Sequence, residues 1–470
     1  MPSTAKWIIL CGLAALACGP AGPPPASAHA RQALGSRSPG VVKATNPSGT
    51  AQTINVTGGP VIDPGNPFFQ VLGTNGRSCA TCHVAKDNMT VTPAHLQQRF
   101  AATEGTDPIF RTVDGSNSPL ADVSTVDARR AAYSMLLAKG LIRVGIGIPS
   151  GAEFELAAVQ DPYGFASASE LSLFRRPLPA TNLKFLSTVM WDGRETFKDP
   201  TQPTGFATLS FDLADQSNSA TLGHAQGAAP LTDAERQAIV AFEMQLFTAQ
   251  IEDARAGDLD EGGATGGPRA LSQQDFFFGI NDPLGGNPTG APFDPAAMTD
   301  YSAWSGSKEP ARASIARGQT LFNTRPIQIA GVSGLNDALG GPITGSCTTC
   351  HDAPNAGDHS VPAPLRIGTD APTPVGGLDV SGLPVYTLRN LATGELQTTT
   401  DPGRALITGK WQDIGRFKGP VLRGLAGRAP FFHNGSARDL ATVVDFYDLR
   451  FGIGLTPQEK TDLVAFLRSL

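Results

Sequence analysis

The sequence predicts a mainly α fold in two similar halves, with long loop insertions and small β-hairpins. Three observations carry that prediction. The pentapeptide pattern C-x-x-C-H occurs twice, as Cys79-Ala80-Thr81-Cys82-His83 and as Cys347-Thr348-Thr349-Cys350-His351. A capped amphipathic pattern also repeats: Leu231-Thr232-Asp233-Ala234-Glu235 through Val240-Ala241-Phe242 matches Leu455-Thr456-Pro457-Gln458-Glu459 through Val464-Ala465-Phe466. Between the halves, 257–270 reads as a linker, because Gly257 to Arg269 holds five glycines beside the acidic Asp258, Asp260 and Glu261.

C-x-x-C-H is the attachment pattern of a c-type haem. Two cysteines at that spacing each form a thioether to one porphyrin, and the next residue turns its imidazole onto the iron. A zinc site would need the cysteines and the histidine on one metal, and a redox dithiol has no use for the trailing histidine. Cys79, Cys82 and His83, with Cys347, Cys350 and His351, are therefore expected to bind two covalent haems. Each half then reads as a cytochrome c-like domain with insertions: 61–256 around the first haem and 271–470 around the second.

The N-terminus reads as an export signal over 1–30. Lys6 is followed by an apolar stretch from Trp7 to Cys18, and the segment ends in small residues at Ala-Ser-Ala and Ala-His-Ala. Export predicts a periplasmic protein. Ala15-Leu16-Ala17-Cys18 is a loose lipoprotein signal, so a form lipid-anchored through Cys18 is the alternative. Cys11 and Cys18 fall in the signal and haem takes the other four of the 6 cysteines, so no disulfide framework is expected.

Charged residues make up 17% of the chain, and no apolar run of membrane-spanning length follows the first twenty positions; a soluble body is expected. The formal charge of −6 gives no basic footprint for nucleic acid, while docking by a basic electron-donor protein stays open.

In chain order, 31–60 is rich in Gly, Pro, Ser and Thr without helical period and reads as a flexible leader. Asp127 to Lys139 has helical spacing, with Ala131, Met135 and Ala138 on one face. Leu141–Ile148 and Glu153–Gln160 suggest a β-hairpin around Pro149-Ser150-Gly151. Thr232 caps a helix expected to reach Gln250, with Glu235 completing a capping box. Glu309 to Phe322 reads as the helix before the second haem site. Thr456-Pro457-Gln458-Glu459 opens a last helix to Leu470.

Further motifs give a resemblance. Trp191-Asp192-Gly193-Arg194 resembles the W-D-G-R segment of the bacterial di-haem cytochrome c peroxidase and MauG family. Gly415-Arg416-Phe417-Lys418-Gly419-Pro420-Val421-Leu422-Arg423, with Ala429-Pro430-Phe431-Phe432-His433-Asn434-Gly435-Ser436, resembles the family's F-K-x-P-x-L-R-N and A-P-Y-F-H-[DN]-G.

The resemblance implies that Trp191 lies between the haems and relays electrons, and that His433 packs at their interface. It implies Tyr447 as the second iron's axial ligand, where peroxidases place Met and MauG-like members Tyr. No methionine follows Met298, and an anionic phenolate lowers a potential that Met would raise. The first haem is the one the family uses on peroxide, with an acidic residue about two helical turns and a loop after W-D-G-R. No Glu stands at that place here, and His224 is the first choice, as acid/base or as distal ligand, against a surface-loop histidine. His95 is the other candidate distal ligand, against a surface-facing helical histidine. The family's inter-domain calcium meets a departure from pattern, since Arg176 and Arg428 stand where Asn and Thr are usual.

These readings together imply an exported di-haem peroxidase that reduces hydrogen peroxide with electrons from a small cytochrome c or cupredoxin. MauG-like oxidation of a partner protein or organic substrate is the enzymatic alternative. A non-catalytic electron carrier, with both irons six-coordinate, is the alternative outside enzymes.

Overall fold

The computed structural model describes residues 40–199, 201 and 208–470. The export signal and residues 31–39 of the expected leader lie outside the described residues. The first half runs β1 (Val41–Asn46), β2 (Gly49–Asn55), α1 (Pro93–Thr103), α2 (Val126–Ala132), α3 (Ser134–Lys139), β3 (Ile142–Ile146), β4 (Phe154–Gln160), β5 (Leu171–Arg175), α4 (Leu209–Gly223), α5 (Asp233–Glu243), β6 (Leu246–Asp253) and β7 (Gly257–Asp258). The second runs α6 (Pro268–Ser272), α7 (Pro310–Thr324), β8 (Ile327–Ile329), α8 (Asn336–Leu339), β9 (Ile343–Gly345), β10 (Val385–Asn390), β11 (Leu396–Thr399), α9 (Ala405–Thr408), α10 (Leu440–Phe451) and α11 (Pro457–Arg468). Among the described residues these are eleven helices and four small sheets.

The two closing helices, α5 and α11, form where their capping boxes predict. Glu235 Oε2 accepts from Thr232 N at 2.8 Å and Glu459 Oε2 accepts from Thr456 N at 2.8 Å, which satisfies amide donors that a helix start leaves open. Each helix then presses an aromatic chain onto its own C-x-x-C-H histidine. Phe242 of α5 packs on Phe68, whose ring centroid is 6.1 Å from His83. Phe466 of α11 packs on Phe322 of α7, which lies 5.8 Å from His351. α7 and α11 touch at Gly318, where a Cβ would fall 2.0 Å from Asp462 O; only glycine permits that approach.

Five sequence expectations are corrected. The helix from Thr232 does not reach Gln250: it stops at Glu243, and Leu246–Asp253 pairs with β2 as β6. Leu246 to Gln250 are buried on both strand faces, and that sheet environment overrides local helical preference. The leader is not free over 41–55, because β1 and β2 form a hairpin on β6, with Thr53 Oγ1 2.8 Å from Thr248 Oγ1. The linker is packed: β7 pairs with β6, Leu259 is fully buried, and Trp304 Nε1 donates to Glu261 O at 2.9 Å. Asp127–Lys139 divides at Tyr133 into α2 and α3.

The fifth correction reorganises the halves. Leu141–Ile148 and Glu153–Gln160 do not pair with each other; β3 pairs with β5, and β4 pairs with β10 from the second half. Phe154, Leu171 and Leu173 share one core with Tyr386, Leu388 and Ile414. The insertion after His83 and the insertion after His351 thus fold as one layer. The described residues form a single compact unit.

Candidate functional site

Each C-x-x-C-H segment starts on a short 3-10 turn, Cys79–Thr81 or Cys347–Thr349, closed in the same way. Thr81 Oγ1 accepts from Ser78 N at 3.0 Å and Thr349 Oγ1 accepts from Ser346 N at 3.0 Å. Both histidines donate Nδ1 to a backbone carbonyl: His83 to Met89 O at 3.1 Å and His351 to Gly357 O at 2.7 Å. That bond fixes the ring and leaves Nε2 as the free ligand atom. Burial keeps both imidazoles neutral, lowering His83 to about 4 and His351 in the same direction.

Each turn opens into a cavity. The first holds Cys79, Cys82 and His83 in its wall; the second holds Cys347, Cys350 and His351. All four cysteines are free of disulfides, and burial pushes Cys79, Cys347 and Cys350 up to about 12. Among the described residues no group of three or more His, Cys, Asp or Glu side chains is placed to hold a metal ion directly. Glu243 Oε2 in the first cavity, and His359 Nε2 and His433 Nε2 in the second, are buried without protein partners. Buried polar atoms of that kind need a partner supplied by whatever fills the space. Paired thiols, a fixed imidazole and orphaned polar atoms in an apolar cavity together fit a covalently attached haem in each.

Trp191 stands in the wall common to both cavities. Its Nε1 donates to Arg176 O at 2.8 Å, and its ring meets His433 edge-on at 6.3 Å. His433 lines the second cavity, stacked on Phe417 at 3.8 Å. Burial lowers it to about 4. The next residue along W-D-G-R anchors the wall: Asp192 accepts from Arg175 at 2.5 Å and from Arg194 at 3.0 Å, and Arg175 also pairs with Asp401. Tyr447, on α10, faces the second cavity among Phe432, Phe446 and Phe451. Burial holds its phenol protonated, so its phenolate form needs a cation close by.

His224 reaches the first cavity from the C-terminal end of α4. Its Nδ1 meets Asp114 Oδ2 at 2.5 Å, and Arg77 clamps the other oxygen of Asp114 while donating to His224 O at 3.1 Å. Burial works against the Asp114 charge, yet His224 and Arg77 outweigh it and hold the carboxyl below its ordinary value. Asp114 comes from the long segment between His83 and Trp191. Nothing in its local sequence separates it from other aspartates; only the fold brings it to the histidine.

His95 lines neither cavity. It lies in the first turn of α1, with Nδ1 2.8 Å from Asp87 Oδ2 and its side chain 34% exposed. The surface-facing reading of that residue therefore holds, and a ligand role at the first haem has no geometric support. Arg176 and Arg428 line both cavities, a placement the sequence did not suggest. His359 was likewise not singled out by sequence, and it lines the second cavity with Nδ1 3.2 Å from Asp352.

No protein-family model matches the chain. It is 34% identical over 141 residues to the cytochrome-c peroxidase IdrP2 of Denitromonas iodatirespirans, covering 27% of this chain and 36% of that protein. It is 29% identical over 199 residues to the cytochrome-c peroxidase IdrP1 of Pseudomonas sp. (strain SCT), covering 38% of this chain and 44% of that protein. Over these stretches the chain is similar to cytochrome-c peroxidases. Its matches span less than half the length of these peroxidase relatives. Among solved structures, a MauG-like protein associated with microbial copper homeostasis aligns over 86% of both chains, at 17% identity and a TM-score of 0.35.

Proposed function

We propose that this peroxidase relative is an exported, periplasmic enzyme of two cytochrome c-like halves, mainly α, carrying two covalent haems and reducing hydrogen peroxide. The observation that carries the reading is Trp191, in the wall shared by two cavities that each present a C-x-x-C-H turn. Peroxide reduction takes two electrons and two protons and yields two waters. When bound, the haem on His83 supplies the iron at which the O–O bond is cleaved.

The protein's own part is to manage protons and electrons. His224, free at Nε2, takes a proton from one peroxide oxygen and returns it to the other. Asp114 accepts from Nδ1 and stabilises the ring while it is charged, and Arg77 keeps Asp114 in place. Trp191, in the wall between the cavities, would relay electrons supplied by a small cytochrome c or cupredoxin, with the group held by Cys347, Cys350 and His351 serving as the entry point when bound. His433 stiffens the Trp191 side of the wall.

Tyr447 favours a second reading, peroxide-dependent oxidation of a partner protein or organic substrate without prior reduction, because an oxygen ligand on the second iron stabilises its oxidised state. Stopped-flow spectroscopy after mixing peroxide with the fully oxidised protein separates the two. A persistent spectral change without reductant supports the second reading; reaction only after one haem is reduced supports the peroxidase. Two low-spin ferric signals in electron paramagnetic resonance, unmoved by peroxide or reduction, would overturn both in favour of a carrier.

A further inference from the structure

Of the three charged side chains in the wall common to the two cavities, Lys418 and Arg176 each feel one acid, Asp358 and Asp87, and Arg428 feels none. Lys418 donates Nζ to Thr188 O at 2.8 Å and has Asp358 beside it. Arg176 and Arg428 form no ion pair among the described residues, and they are neighbours. Arg176 uses Nη1 on Lys139 O and Gly140 O, at 3.1 and 3.2 Å, and Nη2 on Val91 O and Arg428 O, at 2.7 and 3.3 Å. Arg428 makes one side-chain bond, Nη2 to Val421 O at 3.0 Å. The residue lines both cavities.

The fold builds this arrangement at some cost. Burial lowers Arg428 to about 10, with Arg176 adding to the shift, and burial brings Arg176 to about 10 as well. Both are cations at neutral pH and only Arg176 has an acid, Asp87, to offset its charge, so Arg428 stands beside a like charge with no acid of its own, which is unfavourable unless an anion joins it. Gly140, the left-handed C-cap of α3, also leaves room for the arginine, since a Cβ there would lie 1.8 Å from Arg176 Nη1. A guanidinium fork with free donors selects a carboxylate over a point anion.

We infer that Arg428, backed by Arg176, is a carboxylate site at the seam of the two cavities and holds a propionate of each haem. The inference rests on the di-haem reading above. Arg428 is the contacting residue and Arg176 a positioning residue that adds charge. Because the site faces both cavities, its cation disfavours the extra positive charge of both ferric irons and raises both reduction potentials together.

The test uses the full-length holoprotein. Intact mass of the wild type first counts haems, and spectroelectrochemical titration then gives both midpoint potentials in wild type and in Arg428→Met. Two haems and a fall of both potentials, each equivalent to a tenfold change in the ferric/ferrous ratio, about 59 mV for one electron, is the expected result. A count below two overturns the di-haem reading and this inference with it. Two haems with both potentials unmoved, or only one moved, overturns the inference alone. Should Arg428→Met not fold, Arg428→Lys keeps charge and length but loses the fork. Resonance Raman propionate-bending bands of both haems then shift relative to wild type, and unshifted bands overturn the site.

Discussion

At the scale of residues, Asp114 and His224 behave as one device. A histidine alone in a cavity wall can turn; one held at Nδ1 by a clamped carboxylate presents a single nitrogen. His224→Gln is expected to lower peroxide turnover by about a hundredfold or more at unchanged haem content, and Asp114→Asn by a smaller factor. Steady-state assays with a reduced donor check both, and a His224→Gln enzyme with wild-type turnover removes His224 from the chemistry. The legibility of the pair was uneven. His224 stood out because histidines are few and fall where the resembling family expects an acid. Asp114 did not, because it lies in a segment whose destination depends on long-range packing. Asp192 gives a pH prediction. Burial opposes its charge, but Arg175 and Arg194 prevail and hold it at about 2 against an ordinary 3.8. The folded value is depressed, so its contribution of about 2 kcal/mol is complete above pH ~4 and is lost as pH falls toward 2. Thermal unfolding from pH 5 to pH 2 is expected to show that loss in wild type and a flatter profile in Asp192→Asn.

At the scale of elements, local signals were legible wherever one residue's chemistry set the outcome. Thr232 with Glu235, and Thr456 with Glu459, fix helix starts by hydrogen bonds within one turn, and both helices begin there. Pairing partners were not legible. β4 finds β10 across 225 or more residues of chain, from Gln160 to Val385, because burying Phe154 and Leu388 in one core outweighs the hairpin its neighbours could have made. The same competition turned the end of a predicted helix into β6, and a predicted leader into β1 and β2. This shared layer carries a direct prediction. Phe154→Ala removes a buried ring from a core built by both insertions and is expected to cost about 3 to 4 kcal/mol. Tyr386→Phe leaves Ser172 N and O without the hydroxyl that now bonds both, at 2.9 and 2.8 Å, and is expected to cost about 1 to 3 kcal/mol. Chemical denaturation followed at both haem bands measures each. Both bands are expected to lose intensity at one midpoint, since the layer belongs to both halves; separate midpoints would make it a local feature of one.

At the scale of the whole molecule, the question is whether two cavities act as one enzyme, and Trp191 decides it. The indole is held at Nε1 by Arg176 O, at its backbone by Lys418 N at 2.9 Å, and by an edge-on contact with His433. No other aromatic side chain lines both cavities among the described residues. Trp191→Phe keeps an aromatic body in the wall but removes the indole and its hydrogen bond. Haem loading, set by the cysteine turns far along the chain, is expected to stay at two. Reduction of the second haem by a donor is likewise expected to continue at the wild-type rate, because the donor meets that haem without passing the wall. What is expected to slow, by about tenfold or more, is the later step, in which an electron on the second haem is consumed by peroxide at the first. Single-turnover stopped flow, starting from protein reduced by one electron, resolves the two phases. A variant in which only the second phase slows identifies the indole as the link between the sites. Equal rates in both phases would mean that the electron crosses the seam by another route, and that Trp191 serves only to pack the wall.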